Sequence, residues 1–376
     1  MDLELQKYLR SGKTLQDLTA EFAIHTYFHP ELSLVGFKYD QIDSQKTHPL
    51  VRECRGIVLE KDTWKLVAKP FNRFFNAGEN ADEFAQFNWH DFTTYEKVDG
   101  SLAIVFYYAG RWHMNTSGSF AQQNIQFQEF SWSELFWQTA TKGAAKVPYP
   151  EFTDKLNPSL TYVFELCTIY NKIVRLYPEP TVFLLSVFET QTRNELKDSD
   201  NDDIAKTLAV ARPNSYQMTS FDQVTDFLFT KQREDPTYEG VVIRDDKNIR
   251  FKCKTETYLS IHHMFENGNI FNPSRLVPLV LGGEDSEVLA VISKTHPEIE
   301  PHIQKVKETL KEEWENLLAL WQANRAIESQ KDFALAIVKK TPFSGLLFAN
   351  RKHNGDESML LGMWRKNSES IVKNLF

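Results

Sequence analysis

No run of about 18 consecutive apolar residues occurs in this chain, and no apolar stretch follows a charged N-terminus. The sequence therefore predicts neither a membrane span nor a secretory leader, and points to a soluble intracellular protein. Its three cysteines, Cys54, Cys167 and Cys253, lie far apart with no Cys-x-x-Cys or Cys/His companion. That spacing speaks against a disulfide framework or a structural zinc site, and makes each a small buried or semi-buried residue of a strand. His262 and His263 form the one adjacent histidine pair, without a carboxylate at metal-ligand spacing, so a surface or core role outweighs a metal role. An excess of positive charge is missing as well, the formal net charge being -8. Such a chain does not coat nucleic acid by bulk electrostatics, although a local basic patch can still engage nucleic-acid ends. There are no internal repeats and no low-complexity tract.

What remains is an ordinary globular composition, 41% hydrophobic and 25% charged, in a chain of 376 residues that is long enough for two domains. The 28 phenylalanines promise aromatic cores or stacking surfaces. Residues 1–50 mix a helix with aromatic, proline-bearing segments and read as a covering layer. From Arg55 the pattern becomes strand-like: "RGIVLE", a turn at Lys61-Asp62-Thr63 and "WKLVAKP" form one hairpin, and "LAIVFYY", Ala109-Gly110 and "RWHMNTS" a second. Further strands are expected at "TYVFEL", "TVFLLSVFE" and "GVVIRDDKNIRFKCK", with helices at 122–141 and 221–232. Beyond residue 265 apolar residues Ile303, Val306, Leu310, Trp314, Leu317 and Trp321 recur at helical steps, and 286–294, 330–341 and 356–375 also read as helical. The expected fold is thus α+β: a β-rich domain over 1–265 with antiparallel sheets flanked by helices, and an all-helical domain over 266–376. The stretch "ENGNIFNPS" at 266–274 is the expected linker.

Charged residues stand where several of these strands begin or end. Lys97 and Asp99 lie in "YEKVDG", Glu165 in "VFEL", Glu239 in "YEGVVI", Arg55 in "ECRGIV", and Lys252 and Lys254, two apart, on one strand face. Each has an ordinary reading in isolation, as a solvated strand residue or an edge guard. Together they suit nucleotidyl transfer, in which cations clamp phosphates, a nucleophile attacks in line with the leaving pyrophosphate and carboxylates hold a divalent metal. A lysine attacks phosphorus only when neutral, and nearby Lys252, Lys254 and a metal are expected to lower the Lys97 pKa.

The chain resembles the covalent nucleotidyltransferases, the superfamily of ATP-dependent DNA ligases, RNA ligases and mRNA capping enzymes. "KVDGS" at 97–101, "FEL" at 164–166, "VFLLSVFE" at 182–189, "EGVVI" at 239–243 and "FKCK" at 251–254 are similar to its motifs, in its order. Within it, "ECRGIV", "KPFNRFFNAGEN", "NKIV" and "KTETYLSIH" resemble stretches of the bacteriophage RNA ligase 1 family. The arginine that follows the first motif in DNA ligases is absent, as is an OB-fold pattern after residue 265. The resemblance implies an adenylyltransferase domain that joins RNA 5′-phosphate and 3′-hydroxyl ends with ATP and Mg2+ or Mn2+. It implies that Lys97 carries AMP and that Asp99, Glu165 and Glu239 surround the metal, through its waters. Lys252 and Lys254 would contact the α phosphate, and Arg55 and Arg73 the triphosphate. Phe75, Glu96, Gly100 and Gly240 would shape the nucleotide site. Glu284 and Asp285 resemble a second metal pair, or equally an acidic helix start. At Ser117 the family pattern has a basic residue; either Ser117 donates a neutral hydrogen bond there or another cation, such as Lys172, takes its part. The implied partner is single-stranded RNA or a nicked tRNA loop, met by a monomer with no membrane role, in the cytoplasm or, if viral, the host cytoplasm. The alternatives are a DNA ligase, a GTP-using capping enzyme, or a nucleic-acid-binding protein that keeps the fold without the reaction.

Overall fold

The computed structural model describes residues 2–122, 125, 129–143, 149–265, 272–282 and 287–376. In chain order its strands are β1 (Ile24–Phe28), β2 (Leu34–Tyr39), β3 (Arg55–Glu60), β4 (Leu66–Ala68), β5 (Phe75–Asn76), β6 (Phe92–Glu96), β7 (Ser101–Tyr108), β8 (Arg111–Asn115), β9 (Leu160–Cys167), β10 (Thr181–Glu189), β11 (Ser215–Tyr216), β12 (Gly240–Asp245) and β13 (Arg250–Lys254). They form three sheets ordered β1-β2-β3-β4, β10-β9-β7-β8 and β11-β6-β12-β13-β5. All pairings within them are antiparallel except β13 with β5. The α+β class expected from the sequence is the one observed, and both expected hairpins form, as β3–β4 and β7–β8.

Alternation along the strands decides which core each face enters. On the first sheet Val35, Phe37, Ile57 and Leu59 pack with Leu5, Leu9 and Leu18 of the N-terminal helices Glu4–Arg10 and Leu15–Phe22. The intervening Leu34 and Val58 meet Ile104 and Phe106 of β7, so the first two sheets lie face to face. Ala103, Val105 and Phe164, on the opposite face of the second sheet, receive helices Trp132–Ala140 and Asp198–Leu208. The third sheet buries Phe75, Val241, Ile243 and Phe251 against helix Phe221–Glu234. All three cysteines are buried and unpaired.

Some boundaries differ from the pattern reading, for local reasons. The helix expected over 122–141 begins at Trp132, because Ser131 and Glu134 close a reciprocal capping box there. Asn272 and Pro273, assigned to the linker, instead cap and open helix Pro273–Leu281. The final helical segment is two helices, Glu357–Arg365 and Ser368–Leu375. Contacts divide the chain into two compact units, 1–234 with 238–255, and 235–237 with 256–376. Every described regular element of the second unit is helical, and its long helix Glu300–Asn324 buries Ile303, Val306, Leu310, Leu317 and Trp321.

One glycine controls how the first sheet meets the second. Tyr27 pairs with Gly36 across β1 and β2, and its ring occupies the space where a Cβ on Gly36 would stand, 2.1 Å away. The ring crosses this gap to reach Phe120, and Asn115 Nδ2 donates to its hydroxyl at 3.2 Å. Gly36→Ala should therefore lower the urea midpoint, with a loss of about 1–3 kcal/mol from overpacking. An unchanged midpoint would show that Tyr27 has another place to go.

Candidate active site

The end of β6 and the start of β12 bring the central pair together. Lys97 N–H donates to Gly240 O at 2.8 Å, and Thr255 N–H donates to Glu239 O at 3.0 Å. Gly240 has φ +144°, and a Cβ there would lie 2.1 Å from Cys253 O, so only glycine lets this backbone pass against β13. The result is a shared carboxylate: Lys97 Nζ and Lys254 Nζ approach the same Glu239 Oε1 at 2.8 and 2.9 Å. The Glu239 side chain is 3% exposed and that of Lys97 21% exposed. Gly100 performs a similar service on the other side, since a Cβ there would meet Leu166 O at 2.4 Å. The turn carrying Lys97 and Asp99 consequently lies against β9, the strand that bears Glu165.

Burial and charge shift these groups in opposite directions. Burial pushes the Glu165 carboxyl up to about 7; Lys97 and Arg55 oppose the rise while Glu239 and Asp99 add to it. Burial first, then Arg55, Lys97, Lys254 and Arg73, pulls Lys252 down to about 7. Lys97 behaves otherwise than the sequence suggested. Burial lowers its pKa, but the carboxylates of Glu239, Glu165 and Asp99 outweigh burial and hold it above the ordinary lysine value. The expected cationic depression falls on Lys252 instead, because Lys252 has no carboxylate among its principal influences.

The cationic side of the site lies at β3 and the segment before β5. Arg55 is set over the rings of Phe74 and Phe71, at 5.3 and 5.8 Å, and its Nη1 is buried with no hydrogen-bond partner among the described residues. Arg73 Nη2 binds Glu79 at 2.6 Å while its Nη1 is likewise buried and unpartnered. Unsatisfied buried guanidinium donors are costly, which suits an anion that would arrive with the substrate. Phe75 is only 1% exposed and belongs to the core, where it supports Arg73 at 4.3 Å. It is Phe74 whose ring stands beside Arg55 and, at 5.7 Å, Lys252 Nζ.

Asp99 is 2% exposed and accepts hydrogen bonds from the backbone N–H groups of Val174 and Arg175 at 3.0 and 2.8 Å. Glu96 faces partners of its own, Arg175 Nη1 and Asn214 Nδ2, each at 2.6 Å. Among the described residues no three His, Cys, Asp or Glu side chains cluster closely enough to ligate a metal directly. Ser117 lies in the half-buried loop after β8, Lys172 follows the turn Ile169–Asn171, and Glu284 and Asp285 lie outside the described residues. Sequence reasoning assigned no part to Arg175, Asn214 or Phe74. The nearest signal was "NKIV" at 171–174, whose continuation supplies the amide and guanidinium of Arg175.

Residues 53–259, more than half of the chain, match the family described as RNA ligase. The chain belongs to the RNA ligase family. This makes its class that of a ligase. It is similar to the RNA ligase of Rhodothermus phage RM378, 25% identical over 86% of both chains. It is also 28% identical to a protein of Autographa californica nuclear polyhedrosis virus described as a bifunctional polynucleotide kinase/RNA ligase, over 80% of this chain but 43% of that one. The chain thus spans under half the length of the viral relative. Among solved structures, an archaeal ATP-dependent RNA ligase is 15% identical with a TM-score of 0.49, covering 82% of this chain and 83% of that one. No helix among the described residues is long and apolar enough to cross a membrane.

The depressed Lys252 yields a test of the charge balance. Its folded pKa lies below its unfolded value, so the cost of protonating it in the fold is full below about pH 7 and fades as pH rises toward the ordinary lysine value. Lys252→Met keeps the stem and removes the charge; thermal melts of the ligand-free protein should show a higher Tm at pH 6, with a smaller gain at pH 9. A lower Tm at pH 6 would contradict this account.

Proposed function

We propose that this chain is an ATP-dependent RNA ligase whose nucleophile is Lys97. The observation that supports this most is the placement of Lys97 and Lys254 on one buried Glu239 oxygen, beside Arg55 and Arg73, whose buried Nη1 donors have no hydrogen-bond partner among the described residues. In the first step the neutral Lys97 amine attacks the α phosphorus of ATP. A P–N bond forms, the bond to the β-phosphate oxygen breaks, pyrophosphate departs with the electron pair and Lys97 loses one proton. An RNA 5′-phosphate oxygen then displaces Lys97 from the adenylyl phosphorus, and a 3′-hydroxyl finally displaces AMP and seals the strand. Covalent storage divides one difficult transfer into easier ones.

Lys252 and Lys254 are assigned to the α phosphate, Arg55 and Arg73 to the tail of the triphosphate. Glu239 orients Lys97, and Gly100 and Gly240 allow their strands to approach. Asp99 fixes the Val174–Arg175 backbone, and Glu96 acts through Arg175 and Asn214. Phe75 supports Arg73. A divalent cation suits this site through water rather than by direct ligation: Glu165 and Glu239 supply hard oxygen acceptors, matching Mg2+ or Mn2+. Such an ion would neutralise the carboxylates that hold Lys97 protonated and screen the phosphates. Glu284 and Asp285 keep the role of a second metal pair as a proposal from sequence. The RNA is assigned as single-stranded or a nicked tRNA loop, the setting as intracellular RNA repair, the working form as a monomer. The residues 1–265 are assigned to adenylyl transfer and 266–376 to RNA selection.

Incubation with ATP labelled at the α phosphate, followed by denaturing electrophoresis, tests the reading. The full-length protein should acquire a covalent label and Lys97→Ala should acquire none; a label that survives Lys97→Ala would sink the mechanism. The two shifted lysines also predict a pH dependence. Lys97 has a raised pKa and must be neutral to attack, so the labelling rate at saturating ATP should rise from pH 6 to 9. Lys252 loses its proton above about 7, so KM for ATP should rise over the same interval. A fall of either quantity with rising pH would contradict the assignments.

A further inference from the structure

The loop after β8 carries Ser117 where the family pattern has a cation, and the structure brings one to that spot from elsewhere. Lys38, half-buried on β2, extends to Gly118: a Cβ there would lie 3.0 Å from Lys38 Cδ and 3.2 Å from Lys38 Nζ. Lys38 is the cross-strand partner of Arg55, so the two side chains leave the sheet on one face. The register shifts just beside this pair, at Gly56, which has φ +87°. That bulge rests on the loop itself, since a Cβ on Gly56 would stand 3.0 Å from Ser117 Cα, and Asn115 Nδ2 ties the loop to Gly56 O at 3.2 Å. Among the described residues no carboxylate pairs with the Lys38 ammonium. Next to it, Arg55 keeps its buried Nη1 without a partner among the described residues. Lys38, Arg55 and Arg73 thus form a cationic flank that has more donors than internal acceptors.

We propose that Lys38 is a phosphate-binding residue of this site, supplying from β2 the positive charge that Ser117 cannot, and that it holds the pyrophosphate portion of ATP together with Arg55. The inference rests on the ATP reading above and adds a residue that the sequence motifs do not mark. Its register with Arg55 favours the triphosphate over the RNA backbone. An ammonium is a point charge that serves a phosphate well without bidentate geometry, so the exchange of strand costs little in recognition.

Lys38→Gln in the full-length protein provides the test. KM for ATP in the labelling reaction should rise about tenfold to a hundredfold, the size expected for one charge-assisted hydrogen bond. The labelling rate at saturating ATP should fall as well, because the pyrophosphate that Lys38 holds gains negative charge as it departs. Sealing of RNA that is already adenylylated needs no triphosphate and should be unchanged. Adding Ser117→Lys to Lys38→Gln returns a cation to the same place and should restore KM. An unchanged KM would overturn the proposal while leaving Lys97 chemistry intact. So would an equal loss in sealing of adenylylated RNA, which would assign Lys38 to RNA or to structure. If the unsubstituted protein takes no label from ATP, the ATP reading itself fails and this one with it.

Discussion

One carboxylate oxygen of Glu239, sealed from water and shared by the ammonium groups of Lys97 and Lys254, is the contact on which the site depends. Two ammonium groups in a half-buried cleft repel each other strongly, and the anion between them makes the arrangement tolerable. The compensation is incomplete. Burial and the cations that are its principal neighbours pull Lys252 down to about 7, while Arg55 and Arg73 retain buried Nη1 donors with no acceptor among the described residues. The fold therefore carries an unmet demand for negative charge around Arg55, Arg73 and Lys252. Such local frustration is characteristic of sites selected for binding rather than for stability.

The surrounding frame exists to hold this contact. The β12–β13 hairpin pairs Gly240 with Lys254, one residue from Glu239, and Lys97 extends the β6–β12 ladder by one further hydrogen bond. Glycines at 100 and 240 occur where a side chain would strike a neighbouring carbonyl oxygen, a condition on closeness of approach to which Gly240 adds a positive φ of +144°. Asp99 joins the turn of Lys97 to the backbone at 174–175, and Tyr177 accepts from the Asp99 amide at 3.1 Å. Lys97 thus stands at strand ends rather than on a free loop, which holds its side chain in a fixed setting.

Much of this was legible in the chain. Alternating runs identified the β3–β4 and β7–β8 hairpins, and periodicity identified the stripe of helix Glu300–Asn324, because both signals depend on residues close in sequence. Helix starts were less visible where a capping box such as Ser131 with Glu134 overrides a run of helix-compatible residues. The direction of the Lys97 shift was misread because counting cations along the sequence does not reveal which charge lies nearest. At 2.8 Å Glu239 prevails over more distant lysines. Phe74 and Phe75 illustrate the same limit: Phe74, just before β5, stands beside Arg55 and Lys252, while Phe75, in β5, is buried in the core against Arg73.

The sequence by itself determined the α+β class, the helical C-terminal region, the family and the set of charged residues from which the site is made. Those properties follow from composition, short-range pattern and motif order. Tertiary structure alone decided how the charges divide: Lys97 and Lys254 to Glu239, Glu96 to Arg175 and Asn214, Asp99 to backbone amides, and Lys38 to the loop that lacks a cation. Electrostatic energy depends on separation in space and on the water excluded between charges, and neither quantity is a function of distance along the chain.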